Sequence, residues 1–122
     1  MPVSTRSLVA LFMCALALAA CGGSSAAVRE PAKFSVTLDD YLIRPQKVHV
    51  PSGDLTVTVT NRGRLGHTFR IRGRSRNVLA FTTLEPGETK SRNFKLKRGT
   101  YTMYCVLANH EELGMYGTLV VG

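Results

Sequence analysis

Residues 54–60 have the sequence D-L-T-V-T-V-T, in which apolar and acidic or hydroxyl-bearing side chains alternate. Successive side chains of a β-strand point to opposite faces of a sheet, so strict alternation predicts a strand with one buried face. Leu55, Val57 and Val59 are expected to face the core, and the threonines to face outward. Turn-forming residues flank the segment, Pro51-Ser52-Gly53 before it and Asn61-Arg62-Gly63 after it.

The same two-residue period recurs on both sides of this segment, between regularly spaced turn residues. No stretch has a convincing helical period, although residues 106–114 are compatible with one helical turn. Short alternating strands separated by regular turns predict an all-β sandwich or barrel. The predicted strands are residues 33–38, 47–50, 54–60, 67–72, 78–82, 89–96, 101–105 and 116–121.

The N-terminal residues resemble an export signal. An apolar run, Leu8 to Ala20, follows Arg6; it is shorter than the roughly 20 residues that span a bilayer and fits the core of a signal peptide. Leu18-Ala19-Ala20-Cys21 resembles a bacterial lipobox. We therefore expect residues 1–20 to be a signal peptide that is removed, and Cys21 to be lipidated.

Residues 21–32, which are rich in Gly, Ser and Ala, then form a flexible tether, and residues 33–122 form one folded domain. These features predict a protein outside the cytoplasm, anchored to a bacterial membrane on its periplasmic side or at the cell surface. The alternative is ordinary secretion with a coincidental cysteine at position 21.

The formal net charge of +8 favours acidic partners, anionic lipid headgroups or nucleic acid. An exported protein rarely meets nucleic acid, so we expect none, and we expect a monomer. Two interpretations of the basic run remain open: a solvated hairpin that blunts an edge strand, or a docking surface for an acidic partner or anionic headgroups. The run comprises Arg62, Arg64, Arg70, Arg72, Arg74 and Arg76.

Cysteine usage points to a metal site. Cys14 leaves with the signal peptide and Cys21 carries lipid, so Cys105 is the only thiol in the predicted domain, although its compartment is oxidising. Cys105 begins a Cys-x4-His-x4-Met pattern between two predicted strands, with His110 and Met115 as its other members. Thiolate, imidazole and thioether are soft or borderline ligands that one loop can direct at one ion.

A trigonal site needs one more nitrogen, which His67 can supply from another strand, where it shares a face with Phe69 and Ile71. Two histidines, one cysteine and a distant methionine form the ligand set of blue-copper electron-transfer sites. The set therefore predicts one copper ion per chain, cycling between Cu(II) and Cu(I). His49 lies between Val48 and Val50 and is expected to point outward, away from the site.

The chain resembles the cupredoxin family of blue copper proteins, which includes plastocyanin, azurin and sulfocyanin, over roughly residues 33–122. The matching segments are Arg44 to Asp54, Gly66-His67-Thr68-Phe69, and the Cys105 to Leu119 loop. The resemblance implies a Greek-key β-sandwich of about eight strands with copper at one end. It also implies copper ligation by His67, Cys105, His110 and Met115.

The resemblance further implies that the Gly66 carbonyl lies near the metal as a weak contact, and that His110 is the ligand nearest solvent. From the apolar neighbours of His110 in the sequence we expect a small apolar rim around it. In sulfocyanin-like loops Pro-Gly tends to precede the second histidine, whereas this chain has Ala108-Asn109. The difference puts the rigidity of the loop in question. The expected rim residues are Leu107, Ala108 and Leu113.

Three functions are compared. One-electron transfer between redox proteins suits one redox metal without a substrate pocket. Copper binding, buffering or delivery is the alternative, but delivery sites usually have exposed Met or His clusters, which this sequence lacks. Copper enzymes need additional histidine-rich copper sites, and three histidines leave none for a second site. The sequence therefore predicts an electron carrier and not an enzyme.

Overall fold

A computed structural model describes residues 31–122, which form nine strands and no helix. The predicted signal peptide, Cys21 and nearly all of the predicted tether lie outside the described residues. No helix in the described part of the chain has the length and apolar character needed to cross a bilayer. The strands are β1 (Ala32–Asp39), β2 (Leu42–Arg44), β3 (Lys47–Val50), β4 (Gly53–Asn61), β5 (Arg70–Arg72), β6 (Asn77–Ala80), β7 (Thr89–Leu96), β8 (Gly99–Tyr104) and β9 (Tyr116–Val121).

The strands form two sheets, with strand orders β2-β1-β4-β7 and β3-β9-β8-β5-β6. β1 pairs with β4 in parallel, as does β3 with β9, whereas the other neighbours are antiparallel. Each connection from β2 to β5, and each from β6 to β8, passes from one sheet to the other. The prediction of an all-β sandwich is confirmed.

The core lies between the two sheets, and the alternation in the sequence explains its composition. The apolar side chains of β4 are fully buried, whereas its threonines are only partly buried and pair with polar residues of β7. One continuous apolar cluster joins the facing strands and stabilises the sandwich by removing apolar surface from water. It includes Val36, Leu38, Leu55, Val57, Val59, Phe69, Ile71, Leu96, Met103, Leu119 and Val121.

Two differences from the predicted strands concern the neighbourhood of the metal site. β2, with only three residues, was not predicted because it is too short to display a period, although its Ile43 is fully buried. His67 was predicted to lie within a strand, but β5 begins only at Arg70. His67 instead pairs with Leu84 in an isolated bridge, so a short non-strand segment carries it.

The basic run is divided among several elements and is not one hairpin. Arg62 and Arg64 follow β4, Arg70 and Arg72 belong to β5, and the remaining two members lie in the β5–β6 turn.

β1 and β4 end, and β9 begins, at one end of the sandwich, as their register requires. This end, called the metal-site end below, carries the predicted ligands.

Candidate metal centre

Three of the predicted ligands converge at the metal-site end. The ligand atoms of His67, Cys105 and His110 all lie within 4.8 Å of one another. His67 Nδ1 lies 3.2 Å from His110 Nδ1, and that atom lies 3.7 Å from Cys105 Sγ. His67 and Cys105 are fully buried, whereas His110 is 9% exposed. Two imidazole nitrogens and one sulfur are thus held in a common, largely dry position.

Hydrogen bonds fix the segment that carries His67. His67 N donates to Leu84 O at 3.1 Å, and Leu84 N donates to His67 O at 2.8 Å. The buried Asn61 side chain donates to Leu65 O and Leu84 O, and its Oδ1 accepts from Gly63 N. Asn61 therefore ties the end of β4 to the turn before His67 and to the segment opposite it.

The remaining ligand candidates lie on the loop between β8 and β9. Cys105 N donates to Met115 O at 3.1 Å, and Met115 N donates to His110 O at 3.0 Å. His110 N donates to Leu107 O within a series of turns, which agrees with the single helical turn that the sequence allowed. Met115 is fully buried. Its backbone thus joins the cysteine and the histidine, and holds all three residues in one compact loop.

An acidic residue that the sequence gave no reason to single out contacts His67. Asp40, in the turn between β1 and β2, places Oδ1 2.6 Å from His67 Nε2. A carboxylate only accepts hydrogen bonds, so Nε2 carries the proton and Nδ1 presents its lone pair to the other ligands. Hydrogen bonding from the Arg64 backbone N–H lowers the pKa of Asp40 below its usual value, with smaller contributions from His67 and Leu65 in the same direction.

Space for this contact depends on a glycine. A Cβ built on Gly63 would collide with Asp40 Oδ1 and would lie 2.8 Å from His67 Nε2. Any other residue would therefore displace the carboxylate from the imidazole. The turn after β4 thus contributes both backbone donors to Asp40 and the empty space beside it.

The sulfur of Cys105 also receives hydrogen bonds. Thr68 N and Thr68 Oγ1 lie 3.4 and 3.5 Å from Cys105 Sγ. Val106 N in turn donates to Thr68 Oγ1 at 2.9 Å, which leaves the hydroxyl proton to point at the sulfur. Hydrogen-bond donors to a ligating sulfur help to set the redox potential of the metal bound to it.

An ion pair anchors the ligand loop to β5. Arg72 Nη1 and Nη2 donate to Glu111 Oε2 and Oε1 at 3.3 and 2.5 Å, next to His110. The guanidinium also lies over the Tyr104 ring, 4.2 Å from its centroid, and hydrogen bonding to Glu111 raises the pKa of Arg72. Although Pro-Gly is missing before His110, this bidentate pair constrains the following residue.

An aromatic ring covers the imidazoles. The Tyr41 ring packs edge-on against His110, with 4.9 Å between ring centroids, and against His67 at 6.5 Å. Gly114 has a φ of +123° and would place a Cβ 3.2 Å from Tyr41 O, so the loop approaches the β1–β2 turn closely. Burial lowers the pKa of His110, and the neighbouring His67 lowers it further. Both effects favour the neutral imidazole, which is the form that binds metal.

Exposed apolar side chains occur in the segments that carry the ligands, beside the acidic Glu111 and Glu112. Leu65, Val106 and Leu113 are exposed there, Leu113 by 51%. Of the three rim residues expected from the sequence, Ala108 and Leu113 are exposed and Leu107 is half-buried. The sequence did not indicate that Leu65 and Val106 add to the exposed apolar surface of this end.

Two further positions singled out from the sequence are Gly66 and His49. Gly66 packs against Thr83 and Glu85 beside the site, and a contact between its carbonyl and a metal stays a prediction. His49 is exposed on β3 and does not join the ligand cluster, as expected. Asp40, Tyr41 and Asn61 were missed because their roles depend on contacts between segments that are distant in the sequence.

The donor atoms of the cluster match the ligand preferences of copper. Two imidazoles, a hydrogen-bonded cysteine sulfur and a buried thioether suit copper, because soft sulfur ligands select it and carboxylates are absent from the described ligand cluster. The cluster of His67, Cys105, His110 and Met115 is consistent with a type 1 copper site. The protein contributes hydrogen bonds that orient the ligands before the metal binds.

Known structures share this architecture. An auracyanin from Roseiflexus castenholzii has a TM-score of 0.68 and 19% identity, covering 77% of this chain and 99% of that one. An azurin from Methylomonas sp. strain J has a TM-score of 0.65 and 19% identity, with coverage of 76% and 99%. Auracyanin A from Chloroflexus aurantiacus, described as a "blue" copper protein, has a TM-score of 0.67 and 16% identity, with coverage of 76% and 100%.

At these identities the structural likeness establishes the fold. No curated protein sequence matches the chain. The family described as a cupredoxin-like domain matches residues 8–121, which is most of the sequence. The chain therefore belongs to the cupredoxin-like family.

Proposed function

We propose that this protein carries single electrons between redox proteins by means of one type 1 copper ion. In this proposal His67 Nδ1, His110 Nδ1 and Cys105 Sγ would hold the ion, and the Met115 thioether would complete the ligand set. The observation that carries the proposal is the convergence of the three donor atoms within 4.8 Å at one end of the sandwich. When bound, copper supplies the one-electron couple.

The surroundings of the ligands support electron transfer. Asp40 orients His67, Thr68 donates to Cys105, and the ion pair of Arg72 with Glu111 restrains the loop next to His110. Ligands that are held by hydrogen bonds from neighbouring residues move little when the charge of the metal changes. The reorganisation energy of electron transfer is therefore small. A fixed site is what a one-electron carrier needs.

The surface of the metal-site end supports an encounter with redox protein partners. His110 is the one proposed ligand with measurable exposure, and the exposed apolar side chains of Leu65, Val106 and Leu113 belong to the segments that carry the ligands. A small apolar contact area permits close approach without desolvating charges, and transient redox complexes bury little surface. Electrons are therefore proposed to pass through His110.

Copper buffering or delivery is the second function considered. Delivery requires ligands that a recipient can reach, whereas His67, Cys105 and Met115 are fully buried. The described geometry therefore favours retention of the ion. Five pockets of the described part of the chain are lined by residues other than the four proposed ligands.

We also propose that the protein is exported and held at a bacterial membrane by lipid on Cys21. The proposal rests on the lipobox-like sequence and the apolar run before it. In cells, wild-type protein should be found in the membrane fraction with a mass increase on Cys21, and Cys21→Ser should lose the mass increase and withstand a high-salt wash of the membranes less well. A wild-type protein without a mass increase on Cys21 would contradict the anchor.

Voltammetry combined with a chelator challenge distinguishes an electron carrier from a copper-delivery protein. Residues 22–122, which contain the whole described fold, are loaded with one equivalent of copper. A carrier gives a reversible one-electron wave and loses copper slowly to a chelator. An irreversible wave with rapid copper loss would support delivery. His49→Ala, which removes an exposed histidine outside the cluster, is the matched control and should behave like the parent.

A further inference from the structure

Acidic residues in the described part of the chain are concentrated at one end of the sandwich. Asp54 is the exception: it begins β4, where Gly53 pairs with Leu96, at the end opposite the metal site. The remaining acidic side chains lie at or near the metal-site end, in the connections that follow β1, precede β7 and join β8 to β9. They are Asp39, Asp40, Glu85, Glu88, Glu111 and Glu112.

The opposite end carries a cluster of cations, here called the basic pole: Arg74, Arg76, Lys97 and Arg98. The first two lie in the β5–β6 turn and the last two in the β7–β8 turn. All four are exposed, and among the described residues none of them forms an ion pair. The two turns meet at a groove of about 480 Å³ that Arg74 and Arg98 line together with Tyr101.

The N-terminal segment joins the domain at this same end. Ala32, the first residue of β1, pairs with Leu55 near the start of β4. Pro31 lines a pocket with Lys95, which precedes the β7–β8 turn. The segment that contains Cys21 therefore connects to the sandwich beside the basic pole, and the metal site lies at the far end.

We infer that the basic pole binds the surface of an anionic lipid bilayer, with headgroup phosphates contacting Arg74, Arg76, Lys97 and Arg98. Exposed cations without carboxylate partners are attracted to an anionic leaflet, and the attraction adds over the charges. The metal-site end, with its carboxylates, then points away from the lipid. This orientation rests on the proposed copper site and anchor, whereas lipid binding by the pole rests on the charge distribution alone.

Distance argues against a redox protein as the occupant of the basic pole. β8 runs from the pole at Gly99 to the metal-site end at Tyr104, and six residues of strand span roughly 17 Å. Electron tunnelling weakens steeply with distance, so a redox partner gains by docking at the metal-site end. The basic pole is therefore available to contact the lipid bilayer, since the N-terminal segment with the proposed anchor joins the domain beside it.

Vesicle co-sedimentation tests this inference. Residues 22–122, which lack the lipid, are mixed with vesicles of phosphatidylglycerol and phosphatidylcholine or of phosphatidylcholine alone, at low and at physiological salt. The parent should bind the anionic vesicles, bind less as salt rises, and ignore the neutral ones. The triple variant Arg74→Gln, Lys97→Gln, Arg98→Gln should bind at least about tenfold more weakly.

A matched variant distinguishes the effect of the cations of the basic pole on vesicle binding from the effect of the net charge of the protein. Arg44→Gln, Lys47→Gln, Arg62→Gln removes the same number of exposed cations away from the pole and should retain most of the binding. Equal losses in both variants, or no binding of the parent to anionic vesicles, would overturn the inference. Binding of polyglutamate but not of anionic vesicles through the same three residues would also overturn it, because the pole would then dock proteins.

The visible spectrum of the copper-loaded proteins reports on the metal site independently. A parent protein that takes on the copper-dependent colour but does not bind anionic vesicles contradicts the membrane inference and leaves the proposed function intact. Intact vesicle binding without any copper-dependent colour contradicts the proposed function and supports lipid binding by the pole.

Discussion

The carboxylate of Asp40 lies 2.6 Å from Nε2 of His67, on the side of the ring opposite the nitrogen that faces the other ligands. Two backbone N–H groups, of Arg64 and Leu65, donate to the same carboxylate. A negative charge is therefore held one imidazole away from the proposed copper ion. Such carboxylate–histidine pairs fix the tautomer of the ring and increase the basicity of the ligand.

Asp40→Asn is expected to raise the reduction potential and to weaken Cu(II) binding by about 10- to 100-fold. The amide oxygen can still accept from His67, so the change removes mainly the charge. A negative charge stabilises the oxidised ion more than the reduced one, and its loss favours Cu(I). Voltammetry and Cu(II) competition titration measure the two effects. Asp54→Asn, at the opposite end, is the control; equal potentials in the two variants would contradict a role for Asp40.

Met115→Leu is expected to retain copper and to raise the reduction potential. A thioether donates weakly to Cu(II), so its removal favours Cu(I), and the axial ligand is a main determinant of potential. Met103→Leu is a matched control, because Met103 is also fully buried but lies in β8. If both variants keep the parent potential, Met115 is a core residue and not a ligand.

Arg72→Ala is expected to speed copper loss to a chelator while the visible spectrum stays close to that of the parent. Both members of the Arg72–Glu111 pair are partly exposed, so its contribution to the free energy of unfolding is about 1 kcal/mol or less. Its main effect is then on the mobility of the loop that holds His110. Lys95→Ala breaks an exposed ion pair at the other end and should leave the copper-loss rate unchanged. Equal rates in all three proteins would show that the pair does not restrain the loop.

Asn61→Ala is expected to lower the free energy of unfolding by about 1–3 kcal/mol, because it removes three hydrogen bonds that a fully buried side chain makes to the backbone. The affected groups are Leu65 O, Leu84 O and Gly63 N. Chemical denaturation of the metal-free protein measures the change. Asn93→Ala removes an exposed hydrogen bond to Thr56 and should change the free energy of unfolding by no more than about 0.5 kcal/mol. Similar stabilities for the two variants would refute the role assigned to Asn61.

The sequence predicted the elements whose signals are local. Residues 54–60 alternate strictly and form β4, and the spacing of Cys105, His110 and Met115 indicated the ligand loop. β2 has too few residues to display a period. His67 shares an alternating pattern with Phe69 and Ile71, yet Asn61 and Leu84 hold it in an irregular segment.

Contacts that depend on long-range packing could not be read from the sequence. Asp40 and Tyr41 lie in a turn that resembles any polar turn until the parallel pairing of β1 with β4 places it beside His67. The separation of charge between the two ends likewise arises from which turns the fold brings together. Arg74 and Arg98 are distant in the sequence but line one groove.

The visible spectrum of the Cu(II)-loaded chain tests the central claim most directly. Intense colour of a type 1 site arises from the bond between copper and the cysteine sulfur, so Cys105→Ser should abolish it. His49→Ala, which alters an exposed side chain outside the cluster, should keep the parent colour. If one equivalent of Cu(II) leaves the parent colourless, or if Cys105→Ser is as intensely coloured as the parent, the proposed site is wrong.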